Sequence, residues 1–232
     1  MVSRNALSST SGLTSFGLGR DFSFEKSIYE NYGIPATVYD HSVRKPSKVM
    51  VIIFSLLKLI RKKSTRFQEY KSWLHGYNNF FVNSNLHVKK KVVLKRYKMH
   101  EIGISEIFER THDLSSTYLK LDIEGNEYAI FEHLLDICQF FTGICIEFHE
   151  VELNFIFFKK IIETIRKSHN LIFINANNYS NINNLDIPDV LEISFVRKDL
   201  DSDFTVLSQE QIDNLQGGGN TIRKPKYEFL WD

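Results

Sequence analysis

The chain has 232 residues, a formal charge of +1 and the apolar and charged fractions of a globular protein, so nothing overall points to nucleic-acid binding. Its length fits one large domain with a buried core. The only two cysteines, Cys138 and Cys145, have neither metal-ligand spacing nor a disulfide framework, so we expect a reducing, cytoplasmic location. The N-terminus has no apolar signal-peptide region, and the longest apolar run, at 49–57, is too short to span a bilayer.

Strand and helix patterns alternate along the chain. Short apolar runs predict strands at 13–16, 37–39, 118–121, 143–148, 171–174 and 190–196. Helical periodicity predicts helices at 22–32, 48–63, 67–81, 105–109, 126–138 and 155–167. Residues 86–97 look extended and highly charged, without a clear register. This alternation predicts one α/β domain over 1–232 with a parallel-rich, doubly wound sheet, and residues 198–232 form a C-terminal extension.

A glycine turn follows the first predicted strand. Gly17 and Gly19 stand between a strand and a helix, where backbone can approach a nucleotide-like ligand, although a plain tight turn explains them equally well. Phe22 occupies the place of the third glycine of the NAD and FAD motif, which argues against those cofactors. Asp40 ends the second strand at the separation where an acid binds a ribose diol; the alternative is a capping or turn aspartate.

Two carboxylates follow the third predicted strand. We expect Asp122 to face a cleft and Glu124 to hold the turn or cap the next helix, because alternate residues point in different directions; the alternative is that both are solvated or capping. The next strand ends in Glu147 and His149, which share a face by period two. A histidine beside carboxylates is a candidate general base or metal ligand.

Two polar stretches are less specific. The amide-rich loop at 175–184 suits an array of sugar hydroxyls, but a turn-forming polar loop explains its composition as well. The basic runs at 58–66 and 89–98 are typical of solvated faces. If they are functional, they suit an acidic glycan or a membrane surface that carries a lipid-linked substrate, with peripheral contact at most.

Several segments resemble, in order, the FkbM-type S-adenosylmethionine-dependent methyltransferases. They are SFGLGRDFSFEKSIYENYG at 15–33, VYDHS at 38–42, LKLDIEGNEYAIF at 119–131 and IEFHEVEL at 146–153. Residues 177–195 also resemble the corresponding part of the family's sequence. The resemblance implies the Rossmann-like class I methyltransferase fold, a seven-stranded, mostly parallel, doubly wound sheet with an antiparallel last strand. Many members of the family O-methylate sugars in surface polysaccharides, O-antigens or glycosylated natural products. The implied acceptor is therefore a carbohydrate, either a nucleotide sugar or a lipid-linked polysaccharide, and not a nucleic acid.

The resemblance also implies roles for individual residues. Gly17, Gly19 and Asp21 would shape the methionine and adenosine pocket, Asp40 would bind the ribose, Asp122 and Glu124 would line the junction of cofactor and acceptor, and Glu147 and His149 would lie on the acceptor side.

Methyl transfer to an alcohol needs proton removal, for which Asp122 or His149 is the candidate base. Mg²⁺ held by Asp122, Glu147 and His149 is an alternative way to acidify the hydroxyl.

Two departures from the family pattern keep other interpretations open. Relatives often carry a His-x-His element before a double asparagine, whereas this chain has Phe-Ile-Asn-Ala at 173–176. The first strand also begins within about a dozen residues of Met1, which suggests N-terminal truncation. A non-catalytic protein that binds cofactor or a partner is therefore the main alternative. A nicotinamide-dependent sugar oxidoreductase is a weaker one, because of Phe22.

Overall fold

The computed structural model describes residues 2–19, 21–43, 64–82, 84–111, 113–176 and 188–201. Its helices are α1 (Arg4–Ser8), α2 (Ser23–Tyr32), α3 (Ser64–Phe80), α4 (Ile104–Glu109), α5 (Glu127–Leu134) and α6 (Phe155–Ser168). Its strands are β1 (Gly12–Phe16), β2 (Ala36–Tyr39), β3 (Leu86–Val88), β4 (Lys91–Val93), β5 (Glu101–Gly103), β6 (Thr117–Leu121), β7 (Gly143–Phe148), β8 (His169–Ala176) and β9 (Leu191–Arg197). Short 3₁₀ helices cover Leu114–Ser116, Cys138–Phe140 and Lys198–Leu200.

Seven of the described strands form one sheet in the order β3-β2-β1-β6-β7-β9-β8. Strands β3, β2, β1, β6 and β7 pair in parallel, whereas β9 runs antiparallel to both β7 and β8. The predicted doubly wound α/β sheet with an antiparallel last strand is confirmed. A separate parallel pair, β4 with β5, was not predicted, because strands of three residues are too short to show a period.

The sheet is buried on both faces, as its continuous apolar strands indicate. On β6, Leu119 and Leu121 pack into a cluster with residues of α4, α5 and α6. Tyr118, which precedes Leu119 and points to the opposite face of the sheet, packs into a second cluster with residues of α1, α2 and α3. Helices therefore cover both faces, and the polar ends of the strands are left at the edges of the sheet.

Two predicted helices differ in detail from the structure. Helix α5 ends at Leu134 rather than at residue 138, and a 3₁₀ turn, Cys138–Phe140, follows it. On α2, helical spacing predicts one buried stripe of Phe24, Ile28, Tyr29 and Tyr32, but Tyr32 is 41% exposed, whereas Glu25 is fully buried. A helical wheel assigns faces by hydrophobicity, so it missed a buried acid that has a partner.

The predicted helix at 48–63, the loop residues 177–184 and the extension from 202 onward lie outside the described residues. Among the helices that the structure describes, none combines the length and the apolar character required to cross a bilayer.

Candidate active site

Residues predicted for the site come together at one edge of the sheet. Strands β2, β1, β6 and β7 are adjacent and parallel, so their carboxyl ends point the same way. Gly17 follows β1, Asp40 follows β2, Asp122 follows β6 and His149 follows β7. Open α/β sheets bind ligands at this edge.

The glycine turn after β1 packs directly on the acidic segment after β6. Gly17 has a φ of +83°, and a Cβ placed on it would lie 1.6 Å from the backbone oxygen of Asp122. No side chain fits there, so glycine is required for the two segments to lie against each other. Gly19 has a φ of +58° and open space beside it. Its backbone is therefore open to the approach of a ligand.

Asp40 ties the glycine turn to the end of β2. One carboxylate oxygen accepts hydrogen bonds from the backbone N–H groups of Leu18 (2.8 Å) and Gly19 (3.2 Å). The other accepts from the N–H and hydroxyl of Ser42 (2.6 and 2.7 Å) and from the N–H of Val43 (3.0 Å). Burial would raise the pKa of Asp40, but these hydrogen bonds outweigh it and hold the pKa below its usual value.

The five hydrogen bonds already use the acceptor capacity of the Asp40 carboxylate, which has about four lone-pair sites. The contact of Asp40 with a ribose stays a prediction. In the structure, Asp40 holds the glycine turn in place through the N–H groups of Leu18 and Gly19. Asp21 is exposed and accepts a hydrogen bond from the N–H of Ser23 (2.9 Å), so it forms a local turn just before α2. Its predicted part in the cofactor pocket likewise stays a prediction.

The two acids after β6 do not separate as strand alternation suggests. Alternation ends with β6 at Leu121, and left-handed φ values at Glu124 (+55°) and Gly125 (+92°) turn the chain back. The carboxylates of Asp122 and Glu124 and the imidazole of His149 consequently have ligand atoms within 4.8 Å of one another. The Asp122 side chain is 30% exposed and that of Glu124 is 87% exposed.

The acid that holds the turn is Glu127 and not the expected Glu124. One oxygen of the fully buried Glu127 carboxylate accepts the N–H of Ile123 at 3.0 Å. The same oxygen lies 3.0 Å from Nδ1 of His149. Glu124 stands next to the glycine in sequence, but the left-handed turn at Glu124 and Gly125 brings the first turn of α5, and with it Glu127, into the site.

His149 lies among carboxylates. Its Nε2 is 3.7 Å from Glu124 and 4.0 Å from Glu147. Burial would lower the pKa of His149, but the hydrogen bond and charge of Glu127, followed by the charges of Glu147 and Asp122, outweigh it and raise the pKa to about 9. The ligand-free ring is therefore mostly protonated at neutral pH.

A buried ion pair lies beneath this edge. Lys120, on β6, places Nζ 3.0 Å from Glu25 of α2 and 4.0 Å from Asp122. The hydroxyl of Ser15 donates to the same Glu25 oxygen at 2.7 Å. Burial raises the pKa of Asp122, and the positive charges of Lys120 and His149 offset this only in part.

The family model described as the Methyltransferase FkbM domain matches residues 11–180 of the chain. The chain belongs to this family. The match covers the glycine turn, the acidic segment and His149, which are the parts of the FkbM domain that meet at the sheet edge. A search of the curated proteins finds no match to this FkbM protein.

Several solved structures are remotely similar to the structure of the FkbM protein. A fibrillarin pre-rRNA processing protein of Methanococcus jannaschii has a TM-score of 0.41 and 8% identity, covering 83% of this chain and 69% of that one. A putative DNA modification methyltransferase of an E. coli prophage has a TM-score of 0.42 and 10% identity, with coverages of 84% and 49%. An rRNA methylase from Streptococcus thermophilus has a TM-score of 0.40 and 9% identity, with coverages of 85% and 98%.

Methyltransferases of the FkbM family use S-adenosylmethionine. The site of the FkbM protein has features that fit this cofactor. The open backbone at Gly19 leaves room beside the turn. Asp122, Glu124 and Glu147 give the edge a negative charge, which suits a ligand with a sulfonium and an ammonium group. Residues of the glycine turn and the acidic segment would hold the cofactor.

The set of side chains that could bind a metal ion differs from the predicted set. The predicted ligands were Asp122, Glu147 and His149, whereas the structure brings Glu124 rather than Glu147 into a compact set with Asp122 and His149. Two carboxylates and one imidazole could hold a divalent ion, although Mg²⁺ prefers oxygen ligands throughout. A Mg²⁺ requirement of the FkbM protein stays a prediction.

Sequence reasoning missed three residues: Glu25, Lys120 and Glu127. A lysine in the middle of a strand that is apolar on both faces is a usable signal, since buried lysines need a partner. Nothing local identifies Glu25 as that partner, because it is 95 residues away. Glu127 stands in the first turn of α5, where an acid is expected to interact with N-terminal amides.

Proposed function

We propose that this FkbM methyltransferase is a cytoplasmic O-methyltransferase that acts on a sugar hydroxyl, in a surface polysaccharide such as a lipopolysaccharide O-antigen. The observation that carries the proposal is the presence of two proton-accepting side chains, Asp122 and His149, together beside the glycine turn. An alcohol loses its proton as the new bond forms, so a hydroxyl acceptor needs such a group within hydrogen-bond reach. A carbohydrate also fits the carboxylates of this edge, which accept hydrogen bonds from hydroxyl groups.

The cofactor supplies a methyl group on a positively charged sulfur. The chain's contribution is to place the acceptor in line with that group, which is the largest gain available to a reaction of two bound partners. Asp122 lies against Gly17 and is held by a hydrogen bond from its own N–H to the carbonyl of Phe16 at 2.8 Å. This backbone contact fixes the distance between the glycine turn and the acids.

His149 is the better of the two proton acceptors. With a pKa of about 9, His149 is roughly 1% neutral at pH 7, so forming the neutral ring costs about 3 kcal/mol. A carboxyl with the ordinary pKa of about 4 would accept the proton about 7 kcal/mol less favourably than a group of pKa about 9. Burial raises the pKa of Asp122, which makes the difference from His149 smaller than for an ordinary carboxyl.

The proposal is tested in two steps. Calorimetry should show that the folded protein binds S-adenosylmethionine. Methyl-labelled S-adenosylmethionine should then label one member of a panel of nucleotide sugars and lipid-linked oligosaccharides, and mass spectrometry should find a single O-methyl group. A folded protein that binds no S-adenosylmethionine would support the alternative of a non-catalytic member of the family. Label appearing only on a nitrogen or carbon atom would refute O-methylation.

A further inference from the structure

The pair of Glu127 and His149 joins the first turn of α5 to the end of β7. An ionised carboxylate only accepts hydrogen bonds, so at 3.0 Å from Glu127 it is Nδ1 of His149 that carries the proton and donates. A neutral imidazole has one N–H, and in this arrangement its lone pair is on Nε2.

The Nε2 atom of His149 is directed to the acidic side of the site. It lies 3.7 Å from Glu124 and 4.0 Å from Glu147, which are ion-pair distances and too long for hydrogen bonds. Asp122 belongs to the same group of ligand atoms. The lone pair of the neutral ring is thus presented where the acceptor hydroxyl is expected, while Nδ1 is covered by a buried carboxylate.

We propose that Glu127 is a positioning residue for methyl transfer: it fixes the tautomer and the orientation of His149 so that Nε2 takes the proton of the acceptor hydroxyl. This inference rests on the proposed function. In the transfer, the acceptor oxygen forms a bond to the methyl carbon, and the carbon–sulfur bond breaks with its electron pair going to sulfur. The hydroxyl proton passes to Nε2, and Glu127 stabilises the resulting imidazolium. A base oriented by a third group follows the general logic of catalytic triads.

Glu127 also accepts the N–H of Ile123, so a purely structural role has to be separated from the positioning role. Glu127→Gln keeps an acceptor oxygen for that N–H and removes the charge. Glu132→Gln, at an exposed position on the same helix, is the matched control.

The kcat and KM of methyl transfer are measured with methyl-labelled S-adenosylmethionine and with the nucleotide sugar that is turned over in the acceptor screen. Glu127→Gln should lower kcat at least about tenfold, as expected for the loss of part of a general-base contribution, with KM for both substrates nearly unchanged. In a His149→Gln background the same change should have no further effect on kcat. Equal losses in both backgrounds would overturn the proposal, because Glu127 would then act on the fold and not through His149.

Nitrogen-15 NMR of the ligand-free protein gives a readout that needs no acceptor. Above the titration of the ring, His149 should be protonated on Nδ1 in the wild type, in Glu132→Gln and in Glu127→Gln, which keeps the acceptor oxygen. Glu127→Leu, which has no acceptor atom, should lose this preference. An Nε2-protonated ring in the wild type would overturn the proposal. A screen without turnover would instead refute the proposed function, and the tautomer measurement would still decide where the proton is held.

Discussion

The buried ion pair of Lys120 and Glu25 allows a stability prediction that does not depend on knowing the substrate. Lys120→Met keeps the aliphatic stem of the side chain and removes only the ammonium group. Glu25 is fully buried, and one of its oxygens has no hydrogen-bond partner among the described residues even in the wild type. The variant leaves Ser15 as the remaining side-chain donor to the other oxygen.

The expected loss follows from the burial of the remaining charge. Removing one partner of a buried ion pair costs about 3–5 kcal/mol, because the other charge stays desolvated. For a protein of this size each kcal/mol corresponds to about 2–4 °C in Tm, so Tm should fall by about 6–20 °C. The double variant Glu25→Leu with Lys120→Met removes both charges and should recover most of this loss.

The assay is urea unfolding followed by circular dichroism, together with calorimetric melting. Lys26→Met is the control on the same helix: it breaks an exposed pair with Glu30, which is worth less than about 1 kcal/mol. If Lys120→Met costs no more than this control, Glu25 is not held as a buried charge and the reasoning is refuted. A double variant no more stable than Lys120→Met would show that the lysine stem, and not the charge, carries the stability.

Three further predictions concern the site. Gly19→Ala should cost about 1–2 kcal/mol, the price of a left-handed alanine, whereas Gly17→Ala should cost more because its Cβ meets Asp122 backbone; equal shifts in thermal melting would contradict this. Asp122→Asn should lower methyl transfer less than His149→Gln does, because His149 accepts the proton and Asp122 contributes only a nearby charge; a loss as large as that of His149→Gln would assign the proton to Asp122. Because the pKa of His149 is raised to about 9, its basic form is lost as pH falls, so kcat/KM should rise about tenfold per pH unit up to about pH 9; a flat profile would assign the proton to Asp122.

Features with a local cause were predictable from the amino-acid order. The alternation of strands and helices and the left-handed glycines depend on neighbours a few residues apart, and the structure confirms the predicted sheet. Gly17, Asp122 and His149 were placed at one edge because parallel strands end together. The same logic failed at Glu124, because two left-handed residues reverse the chain where strand alternation was assumed to continue.

Only the tertiary structure decided which charges become partners. His149 and Glu127 are 22 residues apart, and Lys120 and Glu25 are 95 residues apart, yet each pair lies within 3.0 Å. Such pairs form where packed helices bring side chains to a strand, and their strength comes from the burial that follows. The order of residues determined the site's acids and its histidine, whereas the packing of α2 and α5 on the sheet decided how each of them is held.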